Sequence, residues 1–432
     1  MNIILPIMKG AEKSTMESLN KESVSPPKIE SKLWNLNFIL LWQGQFVSSF
    51  GDSVYDIALG FWILAKTGST AIMGILMATS VLPRVVLSPF AGVLADRLDK
   101  KWLMVITDGI RGITITLIGL AAILGKAEVW MVMIGGVVLG ICGSLFNPAV
   151  QSALSIIINK EYLVKGNSAI SLASTGVDIV GKSMGGFLFQ FLGAPVLFLV
   201  NGISYIISAI SELFIRIPRV TSESRRVNFV DDIKSGFQYV SKNSGLKYLY
   251  LTIACLNFFA VMALILLLPY FNSKSYLGPE KYGIAMAVSA TGMFMGFFLL
   301  TIIDINKYRK SLIFSMGGMI SGISIGLLPF TKNFAIILTL MLVNGVCVAI
   351  VRTLLQSSLQ SSVPQNMLGK IFGFRRALSS SLVPLSMALG GIGAEFIPME
   401  TIISLGNAVI FILFLKLGFT RAVINIIDGS GE

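Results

Sequence analysis

About twelve apolar stretches follow one another from residue 37 to residue 418. Each is close to the ~20 residues that cross a ~30 Å hydrocarbon core at about 1.5 Å per residue. This feature leaves few options. In lipid, every backbone N–H and C=O must be bonded within its own segment, so spans of this kind are helices and the product is a helical bundle. The spans read as 37–65, 71–95, 102–124, 130–158, 169–193, 195–215, 249–271, 282–303, 311–330, 334–361, 371–395 and 399–418. Composition agrees: 13% of residues are charged, against about 25% in a soluble domain.

The net charge of +12 invites a nucleic-acid reading, but its placement excludes one. Lys and Arg concentrate in alternate loops: Arg97, Lys100 and Lys101; Lys160 and Lys165; Arg216, Arg219, Arg225 and Arg226; Lys307, Arg309 and Lys310; Lys370, Arg375 and Arg376. The other loops carry only isolated lysines such as Lys66, Lys126 and Lys274. Such asymmetry sets orientation. It predicts a multi-pass protein of the cell membrane with both termini in the cytoplasm. Residues 1–33 are polar and charge-mixed and read as a disordered cytosolic tail. The apolar Ile3-Ile4-Leu5 is too short and wrongly flanked for a signal peptide. Residues 419–432 read as a second cytosolic tail. Cys142, Cys255 and Cys347 lie within apolar spans and fit neither a disulfide framework nor a metal site. The chain has no His, so proton chemistry near neutral pH falls to carboxylates.

A polar loop divides the chain. Residues 34–215 form one six-helix bundle and 249–418 another, with 216–248 as a linker. Within the linker, Phe229, Ile233, Phe237 and Val240 recur at helical spacing, as in an amphipathic helix lying on a membrane surface. The halves repeat. Gln151-Ser152-x-Leu154 matches Gln356-Ser357-x-Leu359 at an offset of 205 residues (356 − 151), and the same offset pairs Lys165 with Lys370 and Gly185-Gly186 with Gly390-Gly391. Two parallel six-helix repeats build a class of transporters whose substrate site lies near the midplane between them.

The turn between spans 2 and 3 reads GVLADRLDKK from Gly92 to Lys101. It resembles the signature of the major facilitator superfamily, Gly-x-Leu-Ala-Asp-Arg followed by basic residues. Asp99 stands where the signature usually has a second Gly, as in the macrolide-efflux-like branch. The resemblance covers Trp34–Phe419. It implies an all-α, twelve-helix membrane fold. It also implies that Gly92, Asp96, Arg97, Lys100 and Lys101 form a cytoplasmic gate, with Asp96 against the N-terminus of helix 11 near Gly369–Phe374. A carboxylate is stabilised at such an end by the helix dipole. The turn recurs weakly in the second half, where Asp304 answers Asp96.

Charges inside the spans point to the site. Gln45, Ser49, Asp52 and Asp56 stand at i, i+4, i+7 and i+11 on span 1, one polar stripe on one helical face. Ser171, Thr175, Asp178 and Lys182 repeat the pattern on span 5, and Arg84 lies mid-way along span 2. An isolated charge at mid-span costs about 2.5–3.5 kcal/mol on insertion scales, so each should face a partner or a wet cavity. The expectation is one network of Asp52, Asp56, Arg84, Asp178 and Lys182. It either trades a proton as the cavity opens to alternate sides, or is a permanently paired set that fixes helix register. Arg352 and Gln356 on span 10 are candidates for substrate contact, because helix 10 lines the cavity in the superfamily. Two further pairs, Asp108 with Arg111 and Glu212 with Arg216, read as interfacial and snorkelling.

Gly176 to Ser183 fits the phosphate-loop pattern G-x-x-x-x-G-K-[ST]. That pattern needs a strand before it and a helix after it, and an apolar span supplies neither, so no nucleotide is expected. The better reading is a variant of the superfamily's exporter motif, Gly-Pro-x-x-Gly-Gly, as Gly181-Lys182-Ser183-Met184-Gly185-Gly186. Its glycines would let helix 5 pack against a helix of the other half. Lys182 replaces the motif's Pro, and span 4 lacks the Arg that many proton-coupled exporters carry there. The resemblance implies no enzyme and no cofactor. It implies a monomer in the bilayer that exports small amphipathic molecules by proton antiport. The alternative is the same fold with a dedicated cargo: a siderophore, a peptide-like natural product or a lysolipid.

Overall fold

The structure is a computed structural model and describes residues 33–217, 238, 240, 241, 243–303, 308–362, 375 and 377–428. The tail reading of residues 1–32, most of the linker helix, Asp304 and the segment Gly369–Phe374 lie outside the described residues. So do the side chains of Asp96, Arg97 and Thr175 and the surroundings of Gly92.

Among the described residues the chain is helix and turn, with no strand. Polar residues start the helices. Asn35 accepts a hydrogen bond from the Phe38 N–H at the start of α1 (Leu36–Thr67), and Ser69 accepts one from Ile72 at the start of α2 (Thr70–Arg97). Asp99 accepts one from Trp102 at the start of α3 (Lys100–Ile123). Each satisfies one of the N–H groups that a helix leaves unpaired in its first turn. Asp99 therefore has a structural task in the charged turn that a glycine would not perform as well.

After α4 (Val129–Ile157), α5 (Leu163–Ser171) runs through a π-turn at Leu172–Gly176 into α6 (Val177–Leu213). α6 is two antiparallel arms. Gly193 takes φ 71°, a conformation that side-chain-bearing residues avoid, and Pro195 follows. The chain reverses there with almost no loop. The second half comprises α7 (Ser244–Ser273), α8 (Pro279–Ile302), α9 (Lys310–Leu327), α10 (Phe334–Ser362), α11 (Val383–Phe396) and α12 (Met399–Phe419). Among the described residues, ten stretches are long and apolar enough to cross a membrane; one, Lys165–Leu213, has 49 residues and contains both arms. α1, with Asp52 and Asp56 in its polar stripe, completes the twelve.

The residue repeat is a structural repeat. A Cβ on Gly185 would meet Ile57 of α1, and one on Gly390 would meet Met262 of α7, the counterpart of α1. A Cβ on Gly186 would strike Pro279 and Gly283 of α8, and one on Gly391 would strike Thr70 and Gly74 of α2, the counterpart of α8. Of the exporter-motif glycines, then, only Gly186 faces the other half. Gly181 and Gly185 bring their arm against Ser53 and Ile57 of α1 in the same half. The sequence expectation that all of them pack across the halves is corrected accordingly. Spacing does not reveal which side of a helix faces which neighbour.

The contacts that join the halves gather at the face opposite the basic loops, here called the far face. Glu395 of α11 accepts hydrogen bonds from Ser69 Oγ (2.7 Å), Thr70 Oγ1 (3.2 Å) and the Ala71 N–H (3.1 Å). Phe61 of α1 stacks on Phe189 (4.9 Å) and meets Tyr282 of α8 edge-on (5.8 Å). Tyr282 in turn meets Phe271 of α7 (5.6 Å). In the loop beside this plug, Lys274 pairs with Glu400, whose carboxylate raises the ammonium above its usual range.

At the basic face a short helix, α13 (Arg421–Asp428), ends the described chain. It is docked, within the stretch 419–432 that the sequence reading gives as a cytosolic tail. Val423 and Ile427 are buried, and Asp428 accepts hydrogen bonds from the Ser311 N–H (2.7 Å) and Ser311 Oγ (2.9 Å) at the start of α9.

Candidate substrate cavity

With the far face shut, a vestibule of about 990 Å3 lies between the halves toward the basic loops, lined by Ser171, Asn257, Arg352, Gln356, Arg375 and their neighbours. It shares Ile253, Asn257, Arg352 and Leu355 with a narrower chamber of about 320 Å3 inside the second half. The chamber wall is mostly Leu, Ile, Met and Phe. Among its polar groups, Ser321 Oγ donates to Asn344 Oδ1 (2.8 Å) and the Asn407 amide donates to the Ile403 carbonyl (2.8 Å). Both span-10 candidates are here. Arg352 lines both spaces, and Gln356 accepts a hydrogen bond from Arg375 Nη2 (3.0 Å).

The charged residues of the first half converge. Asp178 is the hub. Its Oδ2 pairs with Lys182 Nζ (2.9 Å), one turn along the same arm of α6, and its Oδ1 accepts from Ser53 Oγ of α1 (2.9 Å). Both side chains of the pair remain 42% exposed, so the pair faces open space. Gly181 lets the arm approach α1 closely enough for this bond; its Cβ would lie 2.6 Å from Ser53 Cβ. Asp56 is exposed and within Coulombic reach of Lys182, Asp52, Asp178 and Arg84. One turn further along α1, Gly60 packs on Leu268 across the seam between the halves, so Asp56 lies on the side of α1 that faces the second half. Arg84 lies over Gly143 of α4; a Cβ there would come 3.0 Å from Arg84 Nη2 and 3.4 Å from Arg111 Nη2. The π-turn at Leu172–Gly176 turns Ser171 out of register with Asp178. The span-5 residues are therefore not one unbroken stripe, and Ser171 lines the vestibule apart from the pair.

Asp52 is held by residues that the sequence reading did not single out. The Tyr205 hydroxyl and the Asn201 amide, both on the second arm of α6, donate to Asp52 Oδ1. Behind Tyr205 lies Arg111, 5.3 Å from the ring centre, bonded to Asp108 at 3.1 Å. Asp108 is fully buried and Arg111 is 6% exposed. Neither is interfacial. Glu212 is also fully buried, whereas Arg216 is exposed at the helix end. A signal was available: Asn201, Tyr205, Ser208 and Glu212 stand at i, i+4, i+7 and i+11, the spacing that marks the stripe on α1.

The phosphate-loop pattern lies within helix, from the π-turn into α6, with its backbone N–H groups directed along the helix. It is no anion cradle.

The profile of the major facilitator superfamily matches residues 41–419. The chain belongs to that superfamily. Macrolide efflux protein A of Streptococcus pyogenes is 26% identical over 369 residues, covering 84% of this chain and 90% of that protein. An uncharacterized transporter of Bacillus subtilis, YvqJ, is 25% identical, covering 88% and 92%. In three dimensions the fold is similar to a bacterial homolog of the human lysosomal transporter Spinster in an inward-facing, unoccupied conformation (TM-score 0.65, 14% identity, 91% of this chain and 96% of that one). This superfamily member is thus a multi-pass membrane transporter, not an enzyme.

Proposed function

We propose that the protein is a secondary active exporter of small amphipathic molecules that works as a monomer by alternating access and proton antiport. The single observation that carries this reading is the clustering of Asp52, Asp56, Arg84, Asp178 and Lys182 within the first half, in a molecule whose halves are fastened at the far face. Three carboxylates against two bases leave one acid able to exchange a proton with a cationic substrate. The apolar chamber in the second half suits the greasy part of such a substrate. The relatives named for macrolide efflux support the direction and the substrate class. The excess of Lys and Arg on one face supports a cytoplasmic location for that face and for both termini, in the cell membrane.

On this reading Gly92, Asp96, Arg97, Lys100 and Lys101, with Asp304, tie the cytoplasmic side shut when the far face opens. Proton or substrate binding then biases the exchange between the two states. A second reading keeps the fold and gives it a dedicated cargo, moved outward, inward or by uniport. The grouping of Arg352, Gln356 and Arg375 at the vestibule favours it, because it suits an anionic end.

The test is efflux of dyes and macrolides from cells with and without a protonophore, in wild type and Asp52→Asn. Antiport requires that the protonophore stop efflux in the wild type and that the variant lose driven efflux. Efflux indifferent to both treatments sinks the proton reading.

A further inference from the structure

Glu212 lines neither of the cavities described above. It is fully buried, and neither of its carboxylate oxygens has a hydrogen-bond partner. Its position is fixed by packing. The second arm of α6 sits between α1 and α3, where Gly44 of α1 abuts Ser208 and Gly112 of α3 abuts Ile206. The charged groups within Coulombic reach of Glu212 are Asp108 and Arg111 of α3. Arg111 in turn neighbours Tyr205 on the arm that carries Glu212, Cys142 of α4 and, over Gly143, Arg84 of α2. Ser208, one turn before Glu212 on the same arm, adjoins Asp108.

The charges do not balance. One guanidinium, already bonded to Asp108 at 3.1 Å, stands against two carboxylates in a sealed space. A bare carboxylate with no donor is far costlier to bury than a neutral carboxyl. A small cation must therefore accompany the pair. A hard metal ion would need a shell of several oxygens. The neighbour on offer is a guanidinium, which repels it. A proton needs neither.

We infer that Glu212 is a proton-binding site, separate from the central cavity and linked to it through Arg111 and Tyr205 to Asp52. The link is electrostatic from Glu212 to Arg111 and geometric beyond it: Arg111 bonds Asp108 and covers the Tyr205 ring, and the Tyr205 hydroxyl donates to Asp52. A change of charge on Asp52 is thereby felt at Glu212 inside the first half, away from the substrate path. The inference rests on the antiport reading for the purpose of the site, though not for its occupancy.

The test is infrared difference spectroscopy of the full-length protein in lipid nanodiscs at neutral pH. The wild type is expected to show a protonated-carboxyl band that moves on labelling with [13C]glutamate, disappears in Glu212→Gln, persists in Asp52→Asn and is indifferent to exchanging potassium for sodium. Absence of a glutamate-sensitive band overturns the site. So does a band that sodium abolishes, since a metal ion would then take the proton's place. The labelled wild type alone decides the matter should Glu212→Gln fail to fold. A persistent band together with protonophore-insensitive efflux would sink the antiport reading and leave the Glu212 site standing.

Discussion

Lys182 stands at a position where the superfamily motif has a proline, and its partner Asp178 explains how the chain tolerates it. The i, i+4 pair neutralises the ammonium, and Ser53 holds the carboxylate from the neighbouring helix. Asp178→Asn strands the lysine, whereas Asp178→Asn with Lys182→Met removes both charges together. The single variant should therefore lose more thermal stability than the double. A double-mutant cycle should return a coupling of about 1 kcal/mol, reduced from a buried pair because both groups face open space. A coupling of zero would mean that the pair is incidental. The residues on the α1 and α5–α6 stripes were legible in the sequence because a charge in an apolar span needs a reason. Tyr205 and Asn201 were overlooked: an uncharged polar residue in a span draws no notice alone, and only their helical spacing with Ser208 and Glu212 marks them. Asp108, Arg111 and Glu212 were misread on depth. They lie near span ends, and only the packing of α6 between α1 and α3 reveals that they face inward.

The helices themselves were nearly all legible, from length and apolarity alone. The exceptions have local causes. The π-turn before α6 leaves no mark in hydropathy, and α13 is too short to register as a span. Glycines set how closely the helices meet, and two substitutions separate their roles. A Cβ on Gly109 meets nothing within 4 Å, so Gly109→Ala should hold or gain stability, by up to ~1 kcal/mol from helix propensity. Gly186→Ala drives a methyl into the backbone of α8. It should weaken far-face closure and cut transport several-fold, measured as dye efflux and as cysteine accessibility beside Phe189. For α13, Asp428→Ala removes both hydrogen bonds to Ser311. Loss of such a helix cap costs about 0.5–2 kcal/mol, which thermal melting should register; an unchanged melt would mean that α13 is held by Val423 and Ile427 alone.

At the scale of the whole molecule, closure at one face is what makes the cavity one-sided. Glu395 collects three donors from the start of α2, so a single carboxylate fastens α11 to α2 across the seam. Glu395→Gln keeps the shape but weakens the charge-assisted bonds, by about 1 kcal/mol at this exposed position. Spin-label distances between the far ends of α2 and α11 should then broaden toward an open population. No change would place the closing force wholly in the aromatic plug of Phe61, Phe189 and Tyr282.

The reversal at Gly193 has a practical corollary. Spans 5 and 6 meet with no connecting loop, and α1 passes to α2 through Gly68 and Ser69 alone. Antibodies and toxins approaching these two turns from that side meet little polypeptide to grip. A binder raised for imaging or inhibition at these turns would need to be slender enough to probe a seam between helices.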